Sequence, residues 1–160
     1  MSGSAIPSRV VTPVPVRGGL PEWRSVLKAH YRRLSISSRR KRFLAAVRED
    51  ALDTVAEKSN PDLLIGIEEN DRTCAVLEIH RTAHGHAEIA ISVEDAYQGR
   101  GYGTRLFEAG IKHARDMNVK TADLYYHSGN IGVARLVANA GGTYTRYGSD
   151  ICAEIDLRTC

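Results

Sequence analysis

Hydrophobic positions in this chain alternate with a period of two through its middle and recur every three to four residues on either side. The alternating segments "DLLIGIEE", "TCAVLEIHR" and "HAEIAISV" predict three strands, joined by turns at Asn70-Asp71 and at "TAHG". In the third strand Ala87, Ile89, Ile91 and Val93 share one face, which predicts core. His86, Glu88, Ala90 and Ser92 share the other, a small polar face with one carboxylate and room for a ligand. Upstream, "TPVPV" predicts an edge strand, where proline is tolerated, and Pro21 opens a helix running to about Leu34. "SISSRRKRFLAAV" predicts a second helix capped by its serines, and "EDALDTVAEKS" continues helically to the turn at Asn60-Pro61. Downstream, a glycine run opens a helix to about Asn118, with Leu106, Phe107, Gly110, Ala114 and Met117 as its buried stripe. "TADLYY" predicts a strand, "NIGVARLVANAG" a short helix ended by Gly141-Gly142, and "TYTRYG" and "ICAEIDL" two closing antiparallel strands. This order is that of a mixed α/β (α+β) layer protein.

Composition narrows the class. At 160 residues, 42% hydrophobic and 26% charged, the chain reads as a single globular domain spanning 1–160, with residues 1–12 as a flexible tail. Cys74, Cys152 and Cys160 have neither metal nor disulfide spacing, which points to a reducing, cytoplasmic setting. No apolar run reaches the length of a membrane span, and the N-terminus lacks the apolar stretch of a secretion signal. The formal charge is only +3, yet Arg24 to Arg48 holds nine Lys/Arg and no Asp or Glu. That segment reads either as a solvated helical face or as a surface for an anionic partner. No aromatic interleaving accompanies it, so nucleic acid is not expected.

The stretch "EDAYQGRGYGTRLFEAG" carries the chemistry, because Gly99, Gly101 and Gly103 alternate just before a helix. A tight turn needs one or two glycines; three leave backbone amides bare at a helix N-terminus, which suits a phosphate. Gly103 is followed by Thr104 with no preceding lysine, unlike a nucleotide-triphosphate loop, and G-x-G-x-G is not the dinucleotide spacing.

Gln98-x-x-Gly101-x-Gly103 directly after "AEIAISVEDAY" resembles the coenzyme A motif of the GNAT superfamily of N-acetyltransferases. "NIGVARLVANAGG" is similar to the second cofactor motif of that family, beginning at Asn130. "LSISSRRKRF" resembles the LS-x-x-SR-x-x-RF helix of GNAT domains in bacterial protein lysine acetyltransferases. The resemblance, from about Val14 onward, implies a GNAT fold: a central, mixed, mostly antiparallel sheet with helices on both faces. It also implies acetyl-CoA as co-substrate and no metal. Cofactor contacts carry over to Gln98, Gly99, Arg100, Gly101, Tyr102, Gly103, Thr104 and Asn130, with main-chain contacts from Ile91 and Val93 where two strands splay.

Acetyl transfer to an amine requires a base, since an amine of pKa ~10.4 is protonated at neutral pH. Glu88 is the candidate, a carboxylate on the small polar face near the expected thioester, with Glu78 as second choice or acceptor-orienting group. The position that holds a tyrosine acid in many GNAT members is Val137 here, which leaves water, Tyr125, Tyr126 or Tyr144 to protonate the leaving thiolate. Tyr125 and Tyr126 point to opposite faces, so only one can serve. His80, His84 and His86 read as an exposed turn without a metal, and Trp23 and Phe43 as anchors of the first helices. The expected activity is N-acetylation of a primary amine, a protein lysine first, with the Arg24–Arg48 segment favouring acidic surroundings around it. The alternatives are a small-molecule amine acetyltransferase and a degenerate acyl-CoA-binding regulatory module; a homodimer stays open.

Overall fold

The computed structural model describes residues 11–158, so the expected tail falls almost wholly outside the described residues, as does Cys160. The elements follow the expected order: β1 (Val14–Pro15), α1 (Leu20–Arg33), α2 (Ile36–Phe43), α3 (Leu52–Lys58), β2 (Leu63–Glu69), β3 (Arg72–Arg81) and β4 (His86–Val93). Then come α4 (Tyr102–Asp116), β5 (Thr121–His127), α5 (Ile131–Asn139), β6 (Thr143–Tyr147) and β7 (Asp150–Asp156).

All strands join one sheet of order β1-β2-β3-β4-β5-β7-β6. Every neighbouring pair is antiparallel except β4 and β5, which are parallel. That pair is also the shortest relative to its strands. It matches only His86–Glu88 with Thr121–Asp123, although the strands run on to Val93 and His127. The sheet therefore opens between β4 and β5.

Strand alternation supplies two buried faces. On one, Leu106, Phe107 and Ala114 of α4 meet Ile65, Leu77, Ile79 and Ile89. At Gly110 a Cβ would stand 2.5 Å from Leu77 Cδ1, so α4 can press on β3 only because that residue is glycine. On the other face Leu27, Tyr31, Leu34, Leu52 and Ala56 of the first helices cover Leu64 and Val76. Each fully buried Leu or Ile contributes ~1.5–3 kcal/mol of transfer free energy, so both helical layers are held to the sheet mainly by apolar burial. Trp23 packs on this second cluster and donates from Nε1 to Val16 O at 2.9 Å.

Three expectations change. The second helix stops at Phe43 rather than Val47, with Leu44 in the left-handed region at φ 59°. Its last residues are anchored from outside: Phe43 packs edge-on against Tyr31 at 5.0 Å, and Arg42 pairs with Glu78 of β3. Ile91 and Val93 are only half-buried, because they line a cavity. The cationic segment is partly neutralised by acidic residues that follow it in the chain. Arg33 pairs with Glu94 at 3.1 Å, Arg42 with Glu78 at 2.6 Å, Lys28 and Arg32 with Asp53, and Arg48 with Asp50 at 3.2 Å. Part of the charge asymmetry of the linear sequence is thus cancelled in space, while Arg39, Arg40 and Lys41 of α2 have no ion pair among the described residues. Among the described residues no helix is long and apolar enough to cross a membrane.

Candidate active site

After β4 the chain makes a short 3-10 turn at Asp95–Tyr97, then enters the glycine loop. Gly99 and Gly101 adopt φ 76° and 81°, which side-chain-bearing residues rarely adopt. Cβ atoms built at Gly99, Gly101 and Gly103 would meet nothing within 4 Å, so open space lies over the loop. Gly101 is the N-cap of the 15-residue α4 and offers no side-chain acceptor to its first amides. Those amides carry the positive end of the helix dipole and have no intrahelical partner.

The loop is tied to α2. Asp95 accepts from Ser35 N at 3.0 Å and from Ser35 Oγ at 2.7 Å, while Ser35 Oγ caps α2 by accepting from Ser38 N at 3.1 Å. Gln98 Nε2 donates to Val93 O at 2.9 Å and to Ser38 Oγ at 3.2 Å. The motif "LSISSRRKRF" thereby acquires physical meaning: Leu34 is core, Ser35 the cap, Ser38 the loop contact, Arg42 the ion-pair partner and Phe43 the aromatic anchor.

Two cavities meet at the gap between β4 and β5. The larger, about 550 Å³, is lined by Ile91, Val93, Gln98, Gly99, Gly101, Tyr102, Gly103, Thr104 and Asn130. Arg100 lies outside that lining, with its guanidinium 5.3 Å from the Tyr97 ring centroid. The Tyr102 side chain is buried, stacked near Tyr97, and its hydroxyl donates to Glu69. Asn130 also caps α5, its side chain accepting from Val133 N at 3.3 Å. Ser38, Lys41, Arg42 and Arg135 join this lining as well. The sequence had not assigned them, and the signal available for Ser38 and Arg42 was the α2 motif.

The smaller cavity, about 180 Å³, holds Glu88, with Ala90, Phe43, Leu44 and Tyr125 around it. It shares Lys41, Arg42, Ile91, Asn130 and Val133 with the larger one. Phe43 is therefore both an anchor and a wall. Tyr125 and Tyr126 both contribute to this lining, Tyr125 51% exposed and Tyr126 3% exposed and packed in the core. Cys152 first, then burial, Asp123 and Glu88, push the Tyr125 phenol above its usual pKa. Tyr144 lies on β6, in neither lining. Val137 is 2% exposed and packs in the core, so the position of the missing acid does not face the site.

Glu78 is not placed to be a base. It is fully buried and accepts from Tyr31 Oη at 2.8 Å, Arg42 Nη2 at 2.6 Å and Ser59 Oγ at 3.2 Å, with His80 Nε2 3.2 Å away. Burial alone would raise its pKa, but the Arg42 guanidinium and the hydrogen bonds outweigh it and hold the carboxyl well below its usual range. The histidines also differ from expectation: His80 and His86 are half-buried, and His86 Nδ1 contacts Asp123 at 2.8 Å. No group of three or more His, Cys, Asp or Glu able to hold a metal occurs among the described residues.

The fold has counterparts among solved structures. The GNAT domain of PAT from S. lividans has 20% identity and a TM-score of 0.72, over 91% of this chain and 90% of that one. The ribosomal-protein-S18-alanine N-acetyltransferase from Escherichia coli has 16% identity and a TM-score of 0.65, over 94% and 96%. YncA, a putative acetyltransferase from Salmonella typhimurium solved with acetyl-CoA, has 18% identity and a TM-score of 0.68, over 94% and 95%. No curated protein matches the chain. The sequence profile described as the acetyltransferase (GNAT) family matches residues 23–141, most of the chain, and with the seven-stranded sheet and its helical layers it shows that the protein belongs to that family.

Proposed function

We propose that this protein transfers the acetyl group of acetyl-CoA to a primary amine, a protein lysine side chain in the first instance, with Glu88 as base. The observation that carries the reading is the meeting of the two cavities at the β4–β5 gap, one walled by bare helix-terminal amides and the other holding Glu88. The residues fit the co-substrate. Amides from Gln98 to Thr104 would hold its diphosphate, since glycines leave them uncovered. Main chain at Ile91 and Val93, past the end of the β4–β5 ladder, would lie along its thioester end. When bound, acetyl-CoA supplies an activated acetyl group. Glu88 takes a proton from the acceptor's ammonium, and the freed amine forms a C–N bond to the acetyl carbon as the C–S bond breaks. The apolar walls from Phe43, Leu44 and Ile89 suit an unbranched aliphatic amine, which favours lysine over bulky amines.

The experiment is calorimetric titration of the pure protein with acetyl-CoA, followed by turnover with lysine-containing peptides set against free amino acids, polyamines and aminoglycosides. Binding with turnover of peptides supports the reading, and turnover of free amines alone redirects it to small molecules. Val137 in the core favours a second reading, a regulatory module that binds acyl-CoA; binding without turnover of any amine would establish that one instead. Absence of binding would end both.

A further inference from the structure

Resting on the acetyl-transfer reading, we propose that Arg42 is a further catalytic residue: Glu78 and Tyr31 fix its guanidinium at the junction of the two cavities, where it stabilises the negative charge gathering on sulfur as the C–S bond breaks. Few side chains line both cavities, and only two of those carry permanent charge near neutral pH, Lys41 and Arg42. They differ in restraint. Lys41 is exposed on a flexible stem, where its charge is screened. Arg42 is 15% exposed at its side chain, donates from Nε (3.3 Å) and Nη2 (2.6 Å) to Glu78, and packs over Phe43 at 4.9 Å. Nη1 donates to no described residue. The ion pair thus keeps its anionic end sealed in the sheet and its cationic end at the cavities.

The leaving group creates the need. Val137 cannot supply a proton from inside the core. Tyr125 lines the acceptor cavity, but its phenol is pushed above its ordinary range, which weakens it as an acid toward the departing sulfur. Sulfur therefore leaves as an anion; of the two protons the ammonium sheds, one leaves through Glu88 and the second passes to water, from which the thiolate takes its proton. A preorganised cation in a restricted site lowers the barrier to that departure.

Removing one partner of a buried ion pair strands the other, so the test changes both, Arg42→Met with Glu78→Gln. The double variant is expected to bind acetyl-CoA as tightly as the wild type while kcat falls about 10²-fold, the scale of losing one preorganised charge-stabilising group. A readout independent of turnover follows the thiol of bound coenzyme A by its ultraviolet thiolate band. In the wild type it should titrate about one pH unit or more below the thiol of free coenzyme A, and in the double variant at or above it. Arg42→Lys, which keeps the charge but not the two-point hold, should fall between, and it serves as the variant if the double change does not fold. Equal thiol titration in wild type and variants, or unchanged kcat, overturns the role of Arg42 while leaving acetyl transfer standing. A wild type that does not bind acetyl-CoA removes both.

Discussion

The larger cavity and the smaller one are built from different materials. The larger has a wall of backbone, with bare amides at the start of α4, two glycines at positive φ and main chain beside a gap in the sheet, completed by side chains such as Ser38, Arg42 and Arg135. The smaller is side chain: Glu88 from β4, Phe43 and Leu44 from the end of α2, Tyr125 from β5. A wall of main chain needs contiguous residues of permissive conformation. Side chains decide what enters the second cavity, and they arrive from positions about forty to eighty residues apart. α2 serves both, through Ser38 at the loop and Arg42 at the junction, as do Ile91 of β4 and Asn130 and Val133 at the start of α5.

Four changes break or sharpen this contrast. Glu88→Gln should lower kcat by ~10²–10⁴-fold while acetyl-CoA affinity by calorimetry stays near wild type, because it touches only the second cavity. A parallel loss of affinity would show that the two cavities are not separable.

Acid should act next, on the buried charges behind the smaller cavity. His30 is buried, within 2.9 Å of Ser92 Oγ, and burial first, then Arg33, lowers its pKa to about 4. It is neutral when folded and takes a proton more readily when unfolded, so stability is full above about pH 6.5 and falls as pH drops towards 4. The loss is of order 3 kcal/mol at most. Glu78, whose folded pKa is depressed, adds a second loss as pH falls below its unfolded value near 4.5. Melting temperature against pH should show this slope, and His30→Gln should flatten the upper part of it.

Gly101→Ala is the mirror image of the first change. It forces a side-chain-bearing residue to φ 81°, a cost of ~1–2 kcal/mol, without a clash inside the protein. Acetyl-CoA affinity should drop by roughly tenfold while the acceptor KM is unmoved; an unchanged affinity would remove the loop from the grip. The smallest effect is expected from Ser35→Ala, which removes the α2 cap and one link to Asp95. About 1 kcal/mol of stability should be lost in chemical denaturation, with acceptor KM and acetyl-CoA affinity weakened together, since α2 walls both cavities.

The glycine loop was legible because its signature is local: three glycines, a strand before and a helix after. Glu88 was legible because strand alternation places it on the open face of β4. The partners of Arg42 and Arg33 were not, because Glu78 and Glu94 lie 36 and 61 residues further along and carry no pattern in common with them. Glu78 looked like a second base for the same reason: alternation gives its face, not the four groups around it.

From residues alone came the element order, the glycine turn before α4 and the face carrying Glu88, each a matter of period or of backbone freedom within a short stretch. Tertiary packing alone decided where α2 ends, which cations are neutralised, that Val137 turns inward and that two cavities join at the β4–β5 gap. Those outcomes depend on burial and on charges meeting across long loops, and such energies exist only once distant segments are in contact.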